Sequence, residues 1–387
     1  MRQLAFSANN RLTLLQCGAE FFPALIAAID ASTMEVFLET YIFSDDQVGG
    51  AVRAALKRAA ARGVQIQVVT DWIGTGRVHS ATLQREFDLA GVHHRSFNPW
   101  FRRGIARTHR KLCVIDRSLA FVGGINIMDD LLADDGSKLP LPHPRWDFAV
   151  RIEGPLVARV HLEISAQWHR LGHLKLKSRW ELFRETRSRV RSSGEAPIVA
   201  ALVVRDNLRN RRTIQRAYLQ ALGSARSSVL FATPYFAPGL KLQRALERAA
   251  QRGVDVTLLI GVGEFALQDA VAHSFYPRLL RQGVKLVEYG STQLHAKVAV
   301  IDDQWATIGS SNYDGLSLFV NQEANVVVKN RKFCSELRAH IERGIADGVQ
   351  VAYADYANIR WYKRLWYGVA YLVYETTFRV VTWSRYT

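Results

Sequence analysis

HRKLCVID (109–116) and HAKVAVID (295–302) are one pattern written twice in a single chain, His-x-Lys followed, after four intervening residues, by Asp. The match extends outward from both copies. Seven residues beyond each Asp comes Gly-x-x-Asn, as Gly123-Gly124-Ile125-Asn126 and Gly309-Ser310-Ser311-Asn312. Further upstream, VFLETYIFSDD (36–46) is answered by VLFATPYFAPG (229–239), and ALKRAAARGVQIQVVTD (55–71) by ALERAAQRGVDVTLLIG (245–261). The offset drifts between 186 and 193 residues, as loop insertions in a duplicated domain would make it do.

Each copy has the same local grammar. An apolar, β-branched run predicts a strand. An Ala/Leu-periodic helix follows and stops at Arg62-Gly63 or Arg252-Gly253, where glycine suits the left-handed residue after a helix. A second strand, another helical stretch and the strand carrying the His motif complete the unit. Strands alternating with helices predict α/β layers, here two tandem α/β sandwich domains over 1–172 and 198–350. The polar, basic stretch 173–197 predicts a helix running into a linker. Residues 351–387 hold eleven aromatics in 37 positions, interleaved with Arg360, Lys363, Arg364, Arg379 and Arg385.

Composition narrows the partners. The 387 residues are 48% apolar, enough for full cores, and carry a formal charge of +16. Such a surface favours phosphate-bearing partners, a nucleic acid or an anionic bilayer leaflet. Cys17, Cys113 and Cys334 are scattered and fit neither a metal-ligand spacing nor a disulfide framework, so a reducing, cytoplasmic setting is expected. The first residues lack the apolar core of a signal peptide, and no run approaches the ~18 apolar residues of a spanning helix.

The spacing carries chemistry. On a strand, residues two apart share a face, so His109 projects with Lys111 and His295 with Lys297. The apolar residues behind them predict a central strand buried on both sides, a rigid mount for reactive groups. Two imidazoles, two ammonium groups and the amides of Asn126 and Asn312 suit a phosphodiester. The lysines and asparagines can hold its non-bridging oxygens and stabilise the charge of the transition state. One neutral imidazole can attack phosphorus while the other serves as acid and then base. No metal or cofactor is needed for this scheme. Asp116 and Asp302 complete the motifs and belong with the catalytic set as motif members. Their place at the other end of the strand favours a structural role, a turn or an ion pair.

With these residues in view, the chain resembles the phospholipase D superfamily and, within it, the bacterial cardiolipin synthases, the B type above all. Supporting stretches are NRLTLLQCGAEFFPALIAAI (10–29), AFVGGINI (120–127), WDFAVRIEGP (146–155), VRDN (204–207) and WATIGSSNYDGLSLFVNQEANVVV (305–328). The resemblance covers roughly residues 10–345. It implies a pseudo-twofold pair of α/β sandwiches sharing one active site at their interface. It implies transfer of a phosphatidyl group from one phosphatidylglycerol to another with release of glycerol, His109 being the nucleophile and His295 the acid/base. It also implies that a carboxylate downstream of each motif orients the other motif's histidine: Glu323 for His109 and Asp147 for His295. Cardiolipin synthases of another type carry N-terminal transmembrane helices. Nothing of that kind precedes the first motif here.

Membrane contact is therefore expected elsewhere. NPWFRRGIART (98–108) runs into His109 and sets Trp100 and Phe101 beside Arg102 and Arg103, a pairing suited to lipid headgroups. In the tail, Leu365, Val369, Leu372 and Thr376 fall on helical spacing beside Trp366, which predicts an interfacial helix on the cytoplasmic face of the inner membrane. The competing expectation is a terminal helix docked on the protein's own core. The competing function is a phospholipase D-type phosphodiesterase acting on phospholipid or nucleic acid. Nucleic acid is the less favoured partner, because a single-strand groove would spread aromatics among Lys and Arg along the strands. The sequence does not set an oligomeric state.

Overall fold

A computed structural model describes residues 4–134, 137–172, 198–206, 210–357 and 359–383. The expected helix and linker at 173–197 lie outside these residues. The first half runs β1 (Ser7–Gln16), α1 (Cys17–Asp30), β2 (Glu35–Thr40), α2 (Gln47–Ala61), β3 (Gln65–Asp71), α3 (Arg77–Leu89), β4 (His93–Phe97), the short β5 (Arg102–Ile105), β6 (Leu112–Ile115), β7 (Leu119–Gly123), β8 (Phe148–Glu153) and α4 (Leu156–Leu171). The second runs β9 (Ile198–Arg205), α5 (Thr213–Ser224), β10 (Ser228–Thr233), α6 (Leu240–Gln251), β11 (Asp255–Gly261), α7 (Ala266–Arg281), β12 (Lys285–Tyr289), β13 (Val298–Ile301), β14 (Trp305–Gly309), α8 (Gly315–Phe319), β15 (Glu323–Lys329) and α9 (Arg331–Ala346). The short β16 (Val349–Gln350) and α10 (Tyr353–Ala357) lead into α11 (Trp361–Trp383).

The strands form one sheet in the order β16-β12-β11-β10-β13-β14-β15-β9-β1-β8-β7-β6-β2-β3-β4. Read outward from the β9–β1 junction, the two sides repeat: β15 answers β8, β14 answers β7, β13 answers β6, and β10, β11 and β12 answer β2, β3 and β4. The duplication seen in the sequence is thus a pseudo-twofold axis through the middle of the sheet. The two units share a continuous sheet, because antiparallel β1 and β9 pair with each other as well as within their own halves.

Local rules place the helices. Asp46 starts α2 by accepting from the Gly49 N–H at 2.8 Å, and Asn330 starts α9 by accepting from the Phe333 N–H at 2.9 Å. Gly63 (φ 88°) and Gly253 (φ 85°) take the left-handed conformation just past α2 and α6, as their Arg-Gly pairs predict. The motif strands are buried on both faces. Leu112, Val114, Val298 and Val300 enter a core spanning both halves under α4 and α9. Cys113 and Ile115 face a core closed by α1 and α2, and Ala299 and Ile301 face one closed by α5, α6 and α7. Each buried Val, Leu or Ile contributes about 1.5–3 kcal/mol, so these four-residue strands are fixed at both faces.

Candidate active site

His109 and Lys111 do not lie on the strand. β6 begins at Leu112 and β13 at Val298, so each His-x-Lys is an extended lead-in rather than part of the ladder. The lead-ins pair with the opposite half instead. The His109 N–H donates to Gln322 O at 2.9 Å, and the Gln322 N–H to Arg107 O at 2.8 Å. Symmetrically, the His295 N–H donates to Trp146 O at 2.9 Å, and the Trp146 N–H to Gln293 O at 2.9 Å. Two parallel bridges therefore stitch each histidine to the other lobe.

The residue after each bridge is a carboxylate. Glu323 Oε2 lies 3.1 Å from His109 Nδ1, which is also 3.0 Å from Ser310 O. Asp147 Oδ2 lies 2.6 Å from His295 Nδ1. Asp147 and Glu323 are equivalent by register: Gly123 pairs with Ala149 and Gly309 with Asn325, which puts each carboxylate two residues before the partner of a motif glycine. The longer stretch between Asn126 and Asp147 is loop and leaves this register intact. Gly124 has to be glycine here, since a Cβ would come 2.3 Å from Asp147 Oδ1. Its counterpart, Ser310, donates its hydroxyl to Glu323. With both Nδ1 atoms engaged, Nε2 is the nitrogen left to each histidine for a substrate.

Burial lowers the His109 pKa against the pull of Glu323, and lowers that of His295 well below the ordinary value, helped by Lys297. Burial pushes the Asp147 carboxyl up to about 6, with Lys297 working against it. Lys111 donates to His109 O at 2.9 Å, and Lys297 donates to His295 O. Both ammonium groups are buried. Burial first, and the charge of Lys297 second, bring Lys111 down to about 7; burial brings Lys297 down to about 8 although Asp147 opposes it. Two cations brought together without their water are poised to be neutralised by an anion. Asn126 and Asn312 are buried as well; Asn126 Oδ1 accepts from the Ile42 N–H at 3.3 Å, and no hydrogen-bond partner is found for Asn312 Oδ1 among the described residues.

Asp116 and Asp302 are elsewhere. Each ends its motif strand in the left-handed conformation, at φ 49°, which an Asp tolerates. The Asp116 carboxylate accepts from the N–H groups of Thr33, Met34 and Glu35 at 2.8–3.0 Å. Asp302 accepts from Ser227 at 2.8 Å and from Ser228 and Arg226 at 3.1 Å. Despite some burial, these donors hold the Asp302 carboxyl below the usual range. Both aspartates clamp the turn entering the neighbouring strand, β2 or β10, away from the imidazoles. These contacts fit the structural role expected from their place at the far end of the strand.

Other residues at the site were not apparent from sequence. Tyr41 sets its ring edge-on to His109, with centroids 5.0 Å apart. Arg110 and Glu39 form a buried ion pair at 2.7 Å, and Thr108 donates its hydroxyl to the same carboxylate. The repeat does contain a signal for this pair: the positions answering Glu39 and Arg110 are Ala232 and Ala296, so both charges are absent together from the second half. Near His295, the Glu264 carboxyl accepts from Tyr235 Oη at 3.0 Å and hydrogen-bonds Asp134 from the other half. Burial and the Asp134 charge push Glu264 up to about 8. Both acids sit in loops with no motif around them.

Among the predicted membrane contacts, Trp100 is 70% exposed and adopts φ 55°, costly for a large side chain. The buried Asn98 holds this turn by donating to Gly104 O and Ala106 O at 2.7 and 2.8 Å. Phe101 and Arg102 are exposed; the side chain of Arg103 lies outside the described residues. Trp366 is exposed on α11. No helix among the described residues is long and apolar enough to cross a membrane.

Comparisons with known proteins agree with this geometry. The family model described as cardiolipin synthase, PLD-like domain, matches residues 25–134 and 218–345, one segment for each motif. Cardiolipin synthase B of Salmonella typhi is 38% identical over 86% of this chain and 80% of the relative. Cardiolipin synthase B of Escherichia coli strain K12 is 37% identical over 88% of this chain and 82% of the relative. The crystal structure of phosphatidylserine synthase from Haemophilus influenzae Rd KW20 superposes with a TM-score of 0.67 at 11% identity, covering 96% of this chain and 94% of that one, which shows a shared fold. With its repeated motif, mirrored sheet and matched segments, this chain belongs to the PLD-like cardiolipin synthase family.

Proposed function

We propose that the chain is a cardiolipin synthase, a phosphatidyltransferase that joins two phosphatidylglycerol molecules at a membrane surface and releases glycerol. The observation that carries this reading is the exchange of carboxylates across the pseudo-twofold axis. Each imidazole is oriented by an acid of the other half, as two histidines serving one phosphorus atom require.

In the first step, Nε2 of neutral His109 attacks the phosphorus of one phosphatidylglycerol. The P–O bond to the terminal glycerol breaks, and His295 supplies the proton to the leaving oxygen. That proton leaves from His295 Nε2 while Nδ1 keeps its proton toward Asp147, so the His295–Asp147 pair enters the step carrying two protons, and the negative charge of the phosphodiester favours that imidazolium. Lys111, Lys297, Asn126 and Asn312 hold the non-bridging oxygens. In the second step, a hydroxyl of another phosphatidylglycerol attacks the phosphatidyl-His109. His295 takes the hydroxyl proton, the P–N bond breaks, and His109 departs neutral. Anionic phospholipid is the proposed substrate, and we assign the enzyme a peripheral position on the cytoplasmic face, with Trp100, Phe101, Arg102 and Trp366 toward the lipid.

The test is to incubate the protein with phosphatidylglycerol vesicles and analyse the products. Cardiolipin and glycerol in equal amounts are expected, and His109→Ala should yield neither product nor phosphoenzyme. Phosphatidic acid as the main product would overturn transfer in favour of hydrolysis.

A further inference from the structure

The helix α11 has two apolar faces, and only one is used by the fold. Ala370 is buried, and Tyr367, Tyr371 and Tyr374 pack with it against the core of the second half. On α7, His273 meets the Tyr367 ring and Phe275 the Tyr371 ring at centroid distances of 5.0 and 5.5 Å. The opposite side carries Trp361, Leu365, Val369, Leu372 and Val373, which recur at helical spacing. Trp361 is 76% exposed, Leu365 60% and Leu372 63%. Tyr362 and Trp366 extend this exposed stripe along one edge. A docked terminal helix normally turns polar residues outward, so this face calls for a partner.

Charge and composition identify it. Arg360, Lys363 and Arg364 cluster in the first turn, beside Trp361, Tyr362 and Trp366. Aromatic rings at one end of an apolar stripe, with cations next to them, match the headgroup level of an anionic bilayer. A second copy of the chain would bring the same cations and a +16 net charge against themselves.

The packed face reaches the active site. Tyr374 Oη accepts from the Gly315 N–H at 2.8 Å. Gly315 opens α8 three residues after Asn312, and Asp314 between them is half-buried and accepts from the Ser317 N–H at 2.6 Å. We infer that α11 is a two-sided strut whose outer face lies in an anionic lipid surface while its inner face, through Tyr374, positions the loop bearing Asn312. This rests on the phosphatidyltransferase reading and adds to it the means by which lipid contact bears on the catalytic loop. Asn312 touches the phosphate; Tyr374 is a positioning residue.

Two variants test this, each measured for co-sedimentation with phosphatidylglycerol vesicles and for turnover of short-chain phosphatidylglycerol below its micelle concentration. Leu365→Glu/Leu372→Glu is expected to bind vesicles at least roughly tenfold more weakly, since two exposed leucines that would enter the lipid are replaced by charges. Its turnover of dispersed lipid should match the wild type. Tyr374→Phe is expected to sediment normally and to lose about fivefold in kcat on either substrate, the scale of one lost hydrogen bond, with KM little changed. Wild-type sedimentation of the double variant overturns the outer face; so does a wild-type dimer that the double variant converts to a monomer with vesicle binding intact. Unchanged kcat in Tyr374→Phe overturns the strut. If the wild-type protein forms no cardiolipin from phosphatidylglycerol vesicles, the transferase reading fails while vesicle binding still judges the helix.

Discussion

The Oδ2 atom of Asp147 sits 2.6 Å from Nδ1 of His295, although 148 residues separate them in the chain. Glu323 and His109 repeat the arrangement in the opposite sense, 214 residues apart. In both cases the backbone bridge at the preceding residue fixes the carboxylate before its side chain reaches the ring.

Asp147→Asn keeps the shape of the carboxylate but offers the ring either an oxygen or an NH₂, so the tautomer is no longer fixed. We expect kcat to fall by about 10²–10⁴-fold with little change in KM and with the melting temperature nearly unaltered. Glu323→Gln should act likewise on His109. Steady-state kinetics alongside a thermal melt check both; a loss confined to KM would contradict the orienting role.

The buried pair Arg110–Glu39 lends itself to a double-mutant cycle whose end point is already present in the second lobe. Arg110→Ala alone leaves an uncompensated carboxylate in the core and should cost about 3–5 kcal/mol. Glu39→Ala/Arg110→Ala reproduces Ala232 and Ala296, and should be less destabilised than the sum of the single variants by roughly 2 kcal/mol or more. Urea unfolding measures all three. Simple additivity would show that the two charges do not depend on each other.

Lys111 illustrates stability given up for function. Its folded pKa of about 7 lies below the ~10.4 of an unfolded lysine. Between these values the unfolded chain binds more protons, so the penalty is full below pH 7 and is relieved as pH rises toward 10. Lys111→Met should therefore melt several degrees higher than the wild type at pH 7 and show a flatter rise in stability between pH 7 and 10. It should also be inactive. In the wild type, KM for the anionic lipid should increase as pH rises past about 7 to 8, where both lysines lose their protons. Melting curves and kinetics over pH 6–9 read both effects.

Asp302→Asn separates clamp from catalyst. A carboxylate holding several N–H groups supports the fold, and its loss should cost about 1–3 kcal/mol. Because the folded pKa of Asp302 is depressed, its contribution is present above the ordinary carboxylate pKa and is lost as pH falls through the folded value. The wild type and Asp302→Asn should thus converge in stability in acid, while kcat per folded molecule stays near wild type. A kcat reduced by orders of magnitude in a fully folded variant would return Asp302 to the chemistry.

Much of this was legible in the sequence because duplication repeats its own constraints. The motif strands were visible as Leu112–Ile115 and Val298–Ile301 because residues buried on both faces leave no polar positions. The Arg-Gly stops were visible because only glycine takes that conformation freely. The departure of His109 and Lys111 from the ladder was hidden, since it depends on a bridge to Gln322 that no local pattern encodes. Sequence spacing does not equate Asp147 with Glu323, because spacing counts loop residues whereas the sheet counts register. Asp134 and Glu264 left no trace, each being an ordinary acid in an ordinary loop until the other lobe closes on it.

The mirrored sheet has one more consequence. Two identical half-chains around a true axis would hold interchangeable imidazoles, and a substrate could bind in either of two equivalent orientations. Joining the halves in one polypeptide lifts that degeneracy: Gly124 stands opposite Asp147 where Ser310 stands opposite Glu323, and the charged Glu39–Arg110 pair has the uncharged Ala232 and Ala296 as its counterparts. Under the proposed mechanism, that asymmetry is what would give the lipid one direction of entry, with one ring to bond phosphorus and the other to ferry protons.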